Sequence, residues 1–269
     1  MGRQVGILTG GGDAPGLNAV IRAVIKYGVG GNGWRLVGIE DSFNGLLSDP
    51  LQTIELVPRA CKGLLQRGGT ILGTTNHGDP FHYPGKGRES DRSGEVMERM
   101  RDLGLEGLIV LGGDGTMRIV RELRDRWGLK AVGVPKTIDN DLAATDQTFG
   151  YDSAVTVVCE AIDRLNTTAA AHHRVMVVEV MGRYAGWIAL GGGVAGGADV
   201  ILMPEFAWDW PALLDKVNAR SASGKRYSIV CVAEGAKLPG SADAVVQEID
   251  PKRTDARRLG GVEIGRAHV

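Results

Sequence analysis

The sequence predicts an α/β protein made of two Rossmann-like, three-layer α/β/α domains with mainly parallel sheets and an active site in the cleft between them. Three observations lead there. Short apolar runs such as Leu108–Leu111 and Val175–Val180 are too brief for helices, and they alternate with segments whose apolar residues recur at helical spacing. Glycine clusters stand where those runs end, as strand-to-helix loops require. The pattern then restarts after Asp146, which divides the chain into a domain over 1–149, a second over 150–262, and a short tail over 263–269.

In order, Val5–Thr9 is the first strand and Gly10-Gly11-Gly12-Asp13 its loop, and Leu17–Tyr27 is a helix with Leu17, Val20, Ile21, Val24 and Ile25 on one face. Leu36–Ile39 is the next strand, followed by a loop over Asp41–Leu47. Gly68–Asp79 is a third glycine-rich loop, in which His77 reads either as a substrate contact or, as loop histidines more often are, as simply solvated. Pro80–Ser93 is an exposed connection to a helix over Gly94–Leu103. Leu108–Leu111 is a buried parallel strand, Thr116–Trp127 a helix, and Ala131–Val134 a strand that Pro135 ends. In the second domain Tyr151–Leu165 is a helix and Val175–Val180 a buried strand. Ile188–Val194 is a helix whose glycines let it pack closely on its sheet. Val200–Met203, Trp210–Ala219 and Ile229–Ala233 follow as strand, helix and strand.

Composition excludes several function classes. A net charge of −1 offers nothing to nucleic acid or an anionic membrane surface, and no apolar run reaches spanning length. With no signal-peptide pattern, the expected location is the cytoplasm. Cys61, Cys159 and Cys231 have neither metal-knuckle nor disulfide-framework spacing and read as reduced thiols in or near the core.

The chemistry is concentrated between Gly107 and Asp146. A strand, the glycines Gly112, Gly113 and Gly115, and a helix beginning near Thr116 make an anion site, because free N–H groups and the helix dipole both face the loop. Asp114 inside that loop suits a Mg2+ ion bridged to phosphate oxygens. Lys136, Thr137, Asp139 and Asp141 follow the next strand at its C-terminal end, where ligands bind in open α/β sheets. A cation, a hydroxyl and paired carboxylates facing a phosphate loop are the parts of a phosphoryl-transfer site: one carboxylate takes a proton and the other helps hold metal. A lone D-x-D would read as a helix cap or turn tie; next to G-G-D-G-T it reads as catalytic. Arg174, Arg183 and Glu234 suit a phosphorylated, hydroxyl-rich acceptor, although each taken singly reads more often as a partner in a structural ion pair.

Four motifs together, L-T-G-G-G-D-A-P-G-L-N-A at Leu8–Ala19, G-G-D-G-T at Gly112–Thr116, P-K-T-I-D-N-D at Pro135–Asp141 and V-E-V-M-G-R-Y-A-G at Val178–Gly186, resemble the phosphofructokinases in order and spacing. The resemblance implies phosphoryl transfer to the 1-hydroxyl of fructose 6-phosphate with Mg2+, in a homo-oligomer (dimer or tetramer) with shared sites. It implies that Gly11, Gly112, Gly113, Asp114, Gly115 and Thr116 hold the donor, with Asp114 on the metal. Asp139 would be the base, with Lys136 and Thr137 beside it. Thr137 and Asp141 would contact the sugar or the metal, with Asp139 also at the substrate; Met181, Gly182, Arg183 and Glu234 would bind the sugar phosphate, and Arg174 would reach the sugar of a neighbouring subunit. Gly115 resembles the ATP users and Lys136 the pyrophosphate users and a mixed group, so ATP is the expected donor and pyrophosphate the alternative. Asn76 stands where many relatives carry arginine. After Val262 the family continues to L-G-H-x-Q-R-G-G, whereas Ile264–Val269 matches one frame of a sequencing adapter. The second domain is therefore expected to be incomplete and the tail non-native, and a nucleotide-binding protein without turnover is the alternative for the chain as it stands. P-K-T-I-D-N-D and the later M-G-R argue against the NAD and diacylglycerol kinases. The spacing of the first loop argues against a dehydrogenase.

Overall fold

A computed structural model of the chain describes residues 2–84 and 89–240; the expected end of the second domain over 241–262 and the tail over 263–269 lie outside them. The described residues form two compact units, the first ending at Thr137 and the second beginning at Ile138.

The first unit holds β1 (Gln4–Thr9), β2 (Arg35–Ile39), β3 (Thr53–Glu55), a small hairpin of β4 (Tyr83–Pro84) and β5 (Glu89–Ser90), β6 (Gly107–Gly112) and β7 (Ala131–Thr137). Its main sheet runs β3-β2-β1-β6-β7. β1 lies parallel to β2 and β6, and β6 to β7; only β3 is antiparallel, along β2. The register sets Thr9 beside Leu111 and Gly112 beside Pro135, so three strands release their loops along one edge.

The helices are α1 (Leu17–Val24), α2 (Asn44–Leu47), α3 (Ser93–Asp102) and α4 (Asp114–Trp127). Side chains alternate across the strands, so Ile7 and Leu111 pack with Leu17, Ile21 and Ile25 on one face. Leu8, Leu108 and Val110 pack with Val96, Met100 and Leu123 on the other.

Four sequence expectations need correction here. The first helix is α-helical only to Val24 and continues as a π-helical turn over Ile25–Gly31. Asp41–Leu47 is not all loop: Asp41 and Ser42 turn with φ 51° and 63°, and α2 follows because Phe43, Leu46 and Leu47 are core residues. β3 went unread because three residues carry no usable period. Pro135 does not end its strand; proline removes one donor from the ladder, and β7 runs on to Thr137.

The second unit contains β8 (Phe149–Gly150), β9 (Val175–Val180), β10 (Val200–Leu202) and β11 (Ser228–Ala233), with β10-β11-β9 in one parallel sheet. The helices α5 (Tyr151–His172) and α6 (Trp187–Ala195) cover one face through Val158, Ile162, Ile188 and Ala189. The expected close packing of α6 is present: a Cβ on Gly192 would sit 2.5 Å from Val158, and one on Gly193 2.8 Å from Ile201. The opposite face packs Leu202, Val230 and Val232 with Trp208 and with Leu213 of α7 (Trp210–Ala222).

α5 runs seven residues past Leu165, because the alanines after Thr168 favour helix and Ala169 is fully buried. β9 is buried on one face only; Val175 and Val177 stand 39% and 43% exposed on the other. Among the described residues the cysteines are free thiols, and burial pushes Cys231 up to about 11, which keeps it protonated and unreactive. No helix of the described residues is long and apolar enough to cross a membrane.

Candidate active site

In the first unit three glycine loops meet. β1 ends in Gly10–Gly12, β6 in Gly112–Gly113, and Gly68–Asp79 packs against the first of these. Thr116, buried in the first turn of α4, separates the first two: a Cβ on Gly112 would lie 2.5 Å from Thr116 Cβ, and one on Gly10 2.8 Å from its Oγ1. Neither glycine can carry a side chain without opening the turn.

The third loop is tied on by side chains. Asn18 Nδ2 donates to the Arg67 carbonyl (2.9 Å) and its Oδ1 accepts from Ile71 N–H (2.9 Å). Thr74 Oγ1 donates to the Gly11 carbonyl (2.6 Å), and Thr9 Oγ1 to that of Gly73. The N–H groups of Gly10 and Gly11 donate to Leu111 and Thr75 carbonyls, so both close the loop. Gly12 differs: it is exposed, and a Cβ there would meet nothing within 4 Å.

Lys136, only 4% exposed, reaches from β7 beneath this loop and donates from Nζ to the Gly12 carbonyl. A Cβ on Gly11 would lie 3.3 Å from that ammonium and 3.8 Å from Asn76 Oδ1. Asp114 and Gly115 are exposed at the start of α4, with open space around Gly115. The result is an open, glycine-lined hollow with a buried cation at its base and a carboxylate at its rim. It suits a polyanion, and a hard divalent cation fits Asp114 only if phosphate oxygens complete its shell. Among the described residues no group of three His, Cys, Asp or Glu side chains could hold a metal unaided.

In the second unit Asp139 is 8% exposed, with Arg183 Nε 3.9 Å from its Oδ2. Asn140 follows in the left-handed region (φ 53°), and its Oδ1 accepts from Thr148 N–H (2.9 Å) and Oγ1 (3.3 Å). This bridge fixes the loop that carries Asp139, while Asp141 points to solvent. Asn140→Ala is expected to cost about 2 kcal/mol, roughly half from the lost hydrogen bond and half from alanine held at positive φ. Thermal unfolding of the two proteins measures it.

Met181, Gly182 and Arg183 leave β9 beside Glu234, which follows β11. Glu234 Oε1 accepts from the N–H groups of Gly182 (3.2 Å) and Arg183 (2.8 Å), and its own N–H donates to Val180 O (2.8 Å). The loop has φ 134° at Gly182 and 52° at Arg183, a conformation that needs such ties.

Asp139, Arg183, Glu234, Gly182 and Met181 therefore come together, as do Gly11, Gly112, Gly113, Asp114, Gly115, Thr116 and Lys136. Thr137 is half-buried at the end of β7. Arg174 is not with the Arg183 cluster of its own chain: it precedes β9, whose six residues span about 20 Å. Sequence reasoning passed over Gly12, Asn18, Thr74 and Asn140. Gly12 and Asn140 sit inside motifs already singled out, so position alone could have found them; Asn18 and Thr74 act through contacts 49 to 63 residues away.

A parallel sheet with glycine loops, a buried lysine and a carboxylate at one edge, followed by a second unit presenting a buried aspartate and an arginine, defines an α/β phosphotransferase. The chain belongs to the phosphofructokinase family, whose model matches residues 4–267. It is 50% identical over 266 residues to the ATP-dependent 6-phosphofructokinase of Chloroflexus aggregans, covering 97% of this chain and 70% of that protein. It is 48% identical over 260 residues to the pyrophosphate–fructose 6-phosphate 1-phosphotransferase of Streptomyces coelicolor, covering 96% and 72%. The structure of Pichia pastoris phosphofructokinase in the T-state superposes with a TM-score of 0.77 at 33% identity, over 88% of this chain and 28% of that one.

Proposed function

We propose that the chain transfers the γ-phosphoryl group of ATP to the 1-hydroxyl of fructose 6-phosphate, giving fructose 1,6-bisphosphate in the cytoplasm. The observation that carries this reading is the buried Asp139 carboxylate beside Arg183. Asp139 takes the proton of the sugar hydroxyl as its oxygen bonds to phosphorus and the bond from phosphorus to the leaving ADP oxygen breaks. Thr137 and Asp141 flank that carboxylate and contact the sugar. Met181, Gly182, Arg183 and Glu234 bind the sugar phosphate, the guanidinium supplying the fork that phosphate prefers.

Gly11, Gly112, Gly113, Gly115 and Thr116 line the hollow for the donor phosphates. Gly12 belongs with them, on the openness around it. Lys136 neutralises donor charge from below. Asp114 would hold a Mg2+ ion together with the donor phosphates, and such an ion would supply charge neutralisation there. The open space at Gly115 leaves room for a nucleotide α-phosphate, which favours ATP. Lys136 and the likeness to the Streptomyces coelicolor protein support pyrophosphate as a second donor. Arg174, exposed at the far end of β9, serves the sugar site of a neighbouring subunit in a dimer or tetramer.

Fructose 6-phosphate turnover by the purified chain, with ATP and pyrophosphate supplied separately in Mg2+, tests this. Turnover with ATP is expected. Turnover with pyrophosphate alone would reassign the donor, and binding of either donor without turnover would leave a nucleotide-binding protein.

A further inference from the structure

The β9–α6 loop, Met181–Gly186, is restrained at both ends by carboxylates from elsewhere in the chain, and only one of them is accounted for by the site above. Glu234 holds the near end. At the far end Gly186 is the N-cap residue of α6 and has no side chain with which to cap its own helix. Its N–H instead donates to Oε1 of Glu205 (2.8 Å), a residue that follows β10 nineteen positions later. The approach is close: a Cβ on Gly186 would lie 2.7 Å from Glu205 Oε2, 2.7 Å from Met203 Cε and 2.8 Å from Met203 Cβ. Glycine is required there because the carboxylate and the thioether occupy the space.

Between the two ties the backbone passes through φ 134° at Gly182 and 52° at Arg183, with Ala185 N–H donating to Gly182 O (2.9 Å). A non-glycine residue in the left-handed region is held there at a cost, and it relaxes if either end of its loop is freed. Arg183 is the residue that faces Asp139.

We propose that Glu205 is a positioning residue for the sugar-phosphate site: by fixing Gly186 it holds the loop in the form that keeps Arg183 aimed at Asp139. The inference rests on the sugar-phosphate reading above, and deepens it. Neutral glutamine keeps an acceptor oxygen at the same place; alanine removes it.

Two measurements on the intact chain separate the possibilities. In amide hydrogen exchange without substrate, Glu205→Ala is expected to speed exchange across 182–186 at least tenfold while Glu205→Gln stays within about threefold of the parent. In steady-state kinetics Glu205→Ala is expected to raise KM for fructose 6-phosphate about tenfold, leaving KM for the donor within twofold, with Glu205→Gln restoring the parent value. Unchanged exchange, equal rises in both KM values, or a glutamine variant as impaired as alanine would each overturn the proposal. If the parent chain does not turn over fructose 6-phosphate, the sugar-phosphate reading fails, and exchange still decides whether Glu205 fixes the loop.

Discussion

Asp139→Asn is expected to lower kcat for fructose 6-phosphate phosphorylation about a thousandfold while KM for the sugar stays within a few-fold, since a positioned general base contributes ~10²–10⁴. Asparagine keeps the size and an acceptor oxygen, so the loop should hold its shape through the Asn140–Thr148 bridge. It cannot accept the hydroxyl proton. The residual rate measures what donor orientation and charge neutralisation achieve without a base, and an equal loss in kcat and kcat/KM marks an interaction made only in the transition state. A fall of less than about tenfold would mean that the hydroxyl loses its proton to another group, and would remove Asp139 from the role assigned to it.

Gly235→Ala is expected to raise KM for fructose 6-phosphate at least thirtyfold. A Cβ at this position would lie 1.9 Å from the Arg183 carbonyl oxygen and 3.0 Å from its carbon. Both are backbone atoms, so no side-chain rotation relieves the clash; the Met181–Gly186 loop must move away from β11. That movement pulls the Gly182 and Arg183 N–H groups off Glu234 Oε1 and turns the guanidinium from Asp139. Overpacking of this kind costs about 1–3 kcal/mol, so the variant should fold with a lowered Tm. Donor affinity, read by nucleotide titration, should be unaffected, because the donor hollow is built from first-unit residues. An unchanged sugar KM would show that the loop does not touch the sugar phosphate.

Much of this was legible in the sequence because the fold places its chemistry where periodicity is interrupted. Strands such as Gln4–Thr9 and Gly107–Gly112 announce themselves as apolar runs ending in glycine; Asp114, Asp139 and Arg183 lie just past strand ends, and Lys136 is the last residue but one of β7. What could not be read there is pairing at a distance. The Pro-Glu step at Glu205 resembles any strand exit until Gly186 is seen against it. Asn18 looked like an ordinary residue of an amphipathic helix, yet its buried amide holds Arg67 and Ile71. Errors of another kind came from treating local rules as absolute. Proline ends a ladder without ending an extended strand, so β7 pairs with β6 as far as Pro135 and runs on to Thr137, and the Asn-Thr-Thr step after Leu165 hides an alanine-rich helix end.

The stitching of the donor hollow has a consequence for how the chain reaches its native state. The ties from Thr9 to Gly73, Gly11 to Thr74 and Asn18 to Arg67 and Ile71 link segments 49 to 64 residues apart, and none can form within a single helix or turn. Contacts of such sequence separation pay their loop-closure entropy before they return any stability, so they mature late. Chains in which the local helices α1 and α4 have formed but these ties have not would lack one wall of the hollow. Nucleotide capture during refolding is thus a clock for completion of the first unit, and it should lag behind the recovery of helical signal.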